Sequence, residues 1–87
     1  MVLTEEMIHE HAEGAVLLTG LEEAIVGITQ EFGNGPRVLY SISKILNILK
    51  ETDMMDEEEA LEYFYFNIIG GFFGEQNPIF LSDHLEY

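Results

Sequence analysis

The chain is expected to fold as α+β: an N-terminal helix, a β-hairpin, two antiparallel helices and a short C-terminal strand. Three observations lead there. Residues 56–74 open with consecutive acids and pass into an aromatic and aliphatic run at helical spacing. Ile42, Ile45, Leu46 and Leu49 repeat at i, i+3, i+4 and i+7, the signature of an amphipathic helix. Upstream, a β-branched run and an apolar return flank Gly33-Asn34-Gly35-Pro36, a composition suited to a hairpin loop. At 87 residues the chain is one domain, 1–87. Helices should cover one sheet face, with Leu61, Phe64, Tyr65, Ile68, Ile45, Leu46, Leu49, Ile25 and Val38 as core.

The segment 56–74 organises the rest. Asp56 is placed to cap a helix, its carboxylate accepting from the free N–H groups of the first turn. Glu59 stands at capping-box spacing, although the box more often begins with Ser or Thr, and Met55 and Ala60 take the staple positions. Glu57, Glu58 and Glu59 lie where the positive end of the helix dipole favours anions. Leu61, Phe64, Tyr65, Ile68 and Phe72 then mark one face. Tyr63, Phe66 and Ile69 widen the apolar arc beyond half the circumference. Such a helix is either central to the fold, the preferred reading, or carries a second apolar face for a partner. Asn67, polar within this arc, is expected to bond a neighbouring backbone group. Gly70 and Gly71 either end the helix or admit another element closely.

The remaining elements follow in order. Thr4 is positioned to cap a first helix, with Leu3 and Ile8 at the staple positions and Met7, Ile8, His11, Ala12 and Ala15 as its apolar stripe. Thr19-Gly20 signals a turn. Residues 21–29 are double-natured. Leu21, Ala24, Ile25 and Ile28 fit helical spacing, but the β-branched content and the following loop favour a strand, with Gly27 as a bulge or close-approach point. Arg37, Val38, Leu39 and Tyr40 form the returning strand. Ser41 or Ser43 caps the helix over 42–50, and a short connection to residue 56 implies an antiparallel helical pair. Glu75-Gln76-Asn77-Pro78 is a turn, Ile79-Phe80-Leu81 a third strand, and 82–87 a polar tail expected to fray.

Composition narrows function. Seventeen acids face three Lys and Arg residues, for a formal net charge of −14. Such a surface repels nucleic acid and anionic lipid and attracts cationic partners, or serves only solubility. Hydrophobic residues make up 47% of the chain, including six Phe and four Tyr, so a core is available despite the charge. There is no cysteine, which removes disulfides and thiolate metal sites and fits a reducing cytoplasm. No run approaches the roughly 18 apolar residues of a membrane span, and the start lacks a basic secretory n-region.

Catalytic and metal motifs are missing from the pattern. Ser41 and Ser43 are best used as caps, and no nucleophile stands beside a base. His9 and His11 flank Glu10 but diverge on a helix, and a zinc helix needs His at i and i+4. Asp53, Asp56, Glu57 and Glu58 are hard oxygen ligands, yet EF-hand spacing is absent. The glycine-rich loop lacks the Lys and Ser/Thr of a phosphate cradle. No cofactor is expected, and the chain is not expected to be an enzyme.

Binding remains. A fixed array of carboxylates imitates phosphates, because a duplex carries one charge per roughly 1.7 Å of axis. Glu22, Glu23, Asp53, Asp56, Glu57, Glu58, Glu59, Glu62, Tyr63 and Phe66 are the expected partner-contacting residues: the acids supply charge, and the aromatics, with Phe73 and Tyr87, supply anchors. The bland alternative places those aromatics in the core.

The string Leu18-Thr19-Gly20-Leu21-Glu22-Glu23-Ala24-Ile25-Val26-Gly27-Ile28 resembles one found in short proteins of bacteriophages and their hosts. Glu58-Glu59-Ala60-Leu61-Glu62-Tyr63-Phe64-Tyr65-Phe66-Asn67-Ile68-Ile69-Gly70, followed by Gly74-Glu75-Gln76-Asn77-Pro78-Ile79-Phe80, is similar to the second half of that pattern. Val38-Leu39-Tyr40-Ser41 and Lys44 fit its strand-into-helix turn, where members often carry Asp at the position of Ser41. The likeness covers residues 18–81 and brings no catalytic or binding residues with it. It implies origin in a phage genome. Together with the charge, it leads to the expectation of a viral, non-catalytic inhibitor in the host cytoplasm. Such a protein would act as a DNA mimic, in an anti-CRISPR, anti-restriction or transcription-directed role. Its partner would be a basic, nucleic-acid-binding host protein, with no direct contact to nucleic acid or membrane. The alternative is a homo-oligomeric structural or housekeeping protein associating through its aromatic face.

Overall fold

The computed structural model describes residues 5–31, 33, 35–69 and 76–85. Helix α1 (Glu5–His11) leads through a 3-10 turn (Glu22–Ala24) into strands β1 (Ile25–Glu31) and β2 (Gly35–Ser41). Helix α2 (Ile42–Thr52) and helix α3 (Glu57–Tyr63) follow. The latter runs on as a π-helical segment (Phe64–Ile69), and strand β3 (Ile79–Leu81) comes last. The α+β architecture expected from the sequence is the one observed. Leu3, Thr4, Asn34, Gly70, Gly71, Phe72, Phe73, Gly74, Glu75 and Tyr87, which entered the expectations above, lie outside the described residues.

The sheet has the order β1-β2-β3, with β1 antiparallel and β3 parallel to β2. Parallel neighbours require a long crossover, which α2, α3 and the π-helical segment supply. Val38 and Tyr40 are fully buried, and their partners Ile28, Ile25 and Phe80 join them against the same core. Pairing slips between Ile25 and Gly27, which makes Val26 the extra residue of a bulge and leaves it half-exposed. Gly27 thus sits at a bulge as expected. A Cβ there would meet nothing, so close approach is not its role. The strand expected over 21–29 begins only at Ile25. The preceding 3-10 turn explains why Leu21 and Ala24 carry helical spacing, and both are buried.

Helix α2 starts where Ser41 leaves the sheet. The Ser41 hydroxyl accepts the Lys44 N–H at 3.1 Å, and Ile42, Ile45, Leu46 and Leu49 turn into the core. Helix α3 opens on a complete capping box: Asp56 Oδ1 accepts from Glu59 N at 2.8 Å, and Glu59 Oε1 from Asp56 N at 3.2 Å. Ala60, Phe64 and Ile68 follow at i+4 steps as its buried line. The Phe64 ring meets Phe80 edge-on at 5.3 Å, and Phe80 lies 6.1 Å from Tyr40, tying this line to the sheet.

Three expectations need correction. Tyr65, placed in the core from its spacing, is 47% exposed. The chain widens into π-helical turns from Phe64, so the 3.6-residue period that put Tyr65 on the buried face no longer applies. Within the tail expected to fray, the described residues 82–85 are tied down, because Asp83 is bonded to the start of α2. His11, assigned to the stripe of α1, is also exposed, and Ile8 and Ala12 alone of the described stripe residues are fully buried.

Candidate functional site

The wide apolar arc of 56–74 splits in two. Phe64 and Ile68 face the core, whereas Tyr63 (40%), Phe66 (80%) and Ile69 (43%) face solvent. The central-helix reading therefore holds for only one side, and the second, exposed apolar face is real. Met55, Glu59, Glu62, Tyr63, Phe66 and Asn67 line a shallow groove of about 310 Å³ on this face. Four of the ten expected partner-contacting residues meet there: Glu59, Glu62, Tyr63 and Phe66. The capping box fixes one wall, since it orders the first turn of α3 from which Glu59 projects.

The other six lie outside it. Glu57 and Glu58 are exposed in the first turn of α3, and Asp56 spends one carboxylate oxygen on the cap. Asp53 ends α2 and borders a different cavity with Thr19, Gly20 and Tyr63. Glu22 turns a carboxylate oxygen back to the Gly20 N–H at 3.2 Å. Glu23 lines a hollow of about 260 Å³ with Lys44, Asn47, Ile48 and Glu51. Tyr63 alone belongs to both the groove and the Asp53 cavity. Glu22, Asp56 and Glu59 thus hold their own backbone as well as presenting charge, which restrains their rotamers.

Several polar side chains that spacing did not reveal organise the fold around these surfaces. The Ser41 hydroxyl, buried, donates to Asp83 Oδ2 at 2.6 Å, and the Ser43 N–H donates to Asp83 Oδ1 at 2.8 Å. Desolvation acts to raise the Asp83 pKa. The Ser41 hydroxyl, the Ser43 N–H, its own backbone and the neighbouring His84 outweigh it and hold the group below the ordinary 3.8. Tyr65 Oη lies 3.4 Å from His84 Nε2, which places the C-terminal segment beside the exposed aromatics. Leu18 N–H donates to the Tyr40 hydroxyl at 2.9 Å. Burial raises the Tyr40 pKa above 10.0; the Leu18 bond opposes and the Glu22 charge adds to this shift. Gln76 donates through Nε2 to Pro36 O at 2.8 Å and to Glu13 O at 3.3 Å, while its backbone carbonyl accepts from the Val16 N–H at 3.2 Å. These partners stand 40 to 63 positions apart, beyond any local pattern.

Ser41 is committed at both ends, donating to Asp83 and accepting from the Lys44 N–H as the cap of α2. Among the described residues no three His, Cys, Asp or Glu side chains converge as a metal site would require, and no helix is long and apolar enough to cross a membrane.

No family model, curated protein or solved structure matches this chain.

Proposed function

We propose that this chain is a small, acidic, phage-encoded protein without catalytic activity that binds and inhibits a basic host protein. Its carboxylates occupy a surface that would otherwise hold nucleic acid. The observation that carries the reading is the groove in which Glu59 and Glu62 stand beside the exposed rings of Tyr63 and Phe66. Charge attracts a cationic surface and speeds encounter, while exposed aromatics become the desolvated anchors of a complex. The net charge of −14 supplies the long-range part. A nucleic-acid-binding component of host defence or transcription is the partner of that chemistry, and the host cytoplasm its compartment.

Affinity capture from lysates of a bacterial host at low and high salt tests this. The expected result is retention of a basic, nucleic-acid-binding protein that falls off steeply with salt, with graded loss as Glu58, Glu59 and Glu62 are neutralised one after another. Retention that persists in high salt, or capture by naked DNA, would overturn it.

One observation favours a second reading. Phe66 at 80% exposure, with Tyr63 and Ile69 also open, gives this face an apolar content that a homo-oligomer would cover. Light scattering separates the two: an apolar self-interface persists or tightens in high salt, whereas a charge-driven complex dissolves.

A further inference from the structure

A second concavity lies across Tyr63 from the groove. Its volume is about 450 Å³, within the range of roughly 300–1,000 Å³ typical of small-molecule sites. Leucines 17, 18 and 21, Ile48 and Leu49 of α2, and Ile68 supply its apolar wall. Polar groups gather at the rim. Thr52 and Asp53 come from the end of α2, Thr19 and Gly20 from the facing turn, and Tyr63 from α3.

The electrostatics of that rim have one sign. Asp53 is exposed and caps the C-terminus of α2, where unpaired carbonyls already carry the negative end of the helix dipole. Glu22 adds a second carboxylate, bonded to the N–H of Gly20, itself a lining residue. Neither Lys nor Arg is among the described lining residues. Tyr63, 40% exposed, presents an aromatic ring, which receives ammonium groups well. An anion such as a nucleotide is repelled here, and a purely apolar molecule leaves the rim unused.

We propose that this cavity binds a small amphipathic cation, an apolar body ending in an ammonium group, with the body against the leucine wall and the charge received by Asp53 and the Tyr63 ring. This site does not rest on the inhibitory reading above, although the two surfaces share Tyr63.

Nitrogen-edited NMR titrations with phenethylamine, phenethyl alcohol and phenylpropanoate at neutral pH and low salt test it. These probes share an apolar body and differ in charge. The amine is expected to give saturable shifts centred on residues 17–21, Ile48 and Asp53, the alcohol to bind more weakly at the same place, and the carboxylate more weakly still. Asp53→Asn, which disturbs no side-chain bond in the core, should lower amine affinity about threefold to fivefold, the worth of one exposed charge pair, and leave the alcohol unchanged. Ile48→Trp, which fills the cavity, should abolish binding of both. The proposal is overturned if phenylpropanoate binds as tightly as the amine, or if Asp53→Asn leaves amine affinity unaltered. Shifts centred on Phe66 and Glu62, or no saturable shift up to about 10 mM amine, overturn it equally.

Discussion

Met54 is the one described residue other than glycine with a positive φ, at 57°. It follows the last turn of α2, where the chain must leave the helix and left-handed backbone is the usual exit. A side chain in that region costs about 1–2 kcal/mol, and here it is 85% exposed and contributes little packing. Met54→Gly is therefore expected to raise unfolding stability by about 0.5–1 kcal/mol, net of the added freedom of the unfolded chain. Chemical denaturation checks this, and a loss of stability would show that the side chain packs after all. Tyr40 makes the opposite case. Its ring is fully buried, and its hydroxyl answers the Leu18 N–H. Tyr40→Phe keeps the ring and leaves that N–H without its partner, a cost of about 1–2 kcal/mol by the same measurement. The segment that Tyr40 holds is also the wall of the Asp53 cavity, so the core and that surface are linked through one hydroxyl.

At the scale of elements, the C-terminal segment and the start of α2 form one unit. Asp83 takes the Ser43 N–H and the Ser41 hydroxyl, and so adds a second cap from the far end of the chain. Because the folded pKa of Asp83 is depressed, its stabilising effect is complete above the ordinary value of 3.8 and is lost as pH falls through the lower folded value. Asp83→Ala is expected to destabilise the protein at neutral pH, and the gap from wild type should narrow only below pH 3.8. Thermal unfolding from neutral to acidic pH measures this, and a gap independent of pH would place the effect in packing instead. Because the group is largely exposed, solvent screening keeps the increment small. The adjoining helices show which information is local. Capping by Ser41 and the box of Asp56 with Glu59 were legible in sequence because both partners lie within one turn. The Asp83 and Gln76 bonds were not, because they join segments that only tertiary folding brings together. Tyr65 was misplaced for a third reason. Its burial depends on the helix keeping a 3.6-residue period, and the turns from Phe64 to Ile69 are wider.

For the whole molecule, charge is the dominant quantity. All described acidic side chains with an assigned exposure lie at the surface, under a net charge of −14. Their mutual repulsion opposes the compact state and is screened by salt. The melting temperature is therefore expected to rise between low salt and about 0.5 M sodium chloride, where the Debye length shrinks to a few ångström. Calorimetry checks this, and a flat response would mean that local bonds such as those of Glu22, Asp56 and Glu59 already offset the repulsion. The aromatic groove and the acidic cavity share this background but differ in shape, and they share Tyr63. From the residues alone came the α+β class, the helix caps, the third strand and the acid-rich, aromatic character of 56–74, since each is written in neighbours or in totals. Which side of that segment faces water was decided by folding. The sheet and α2 can cover only one flank, so Phe64 is enclosed while Phe66 is left outside. Folding likewise brought Leu18, Asp53 and Tyr63 around one cavity, because loop, helix end and neighbouring helix meet only once the core has closed.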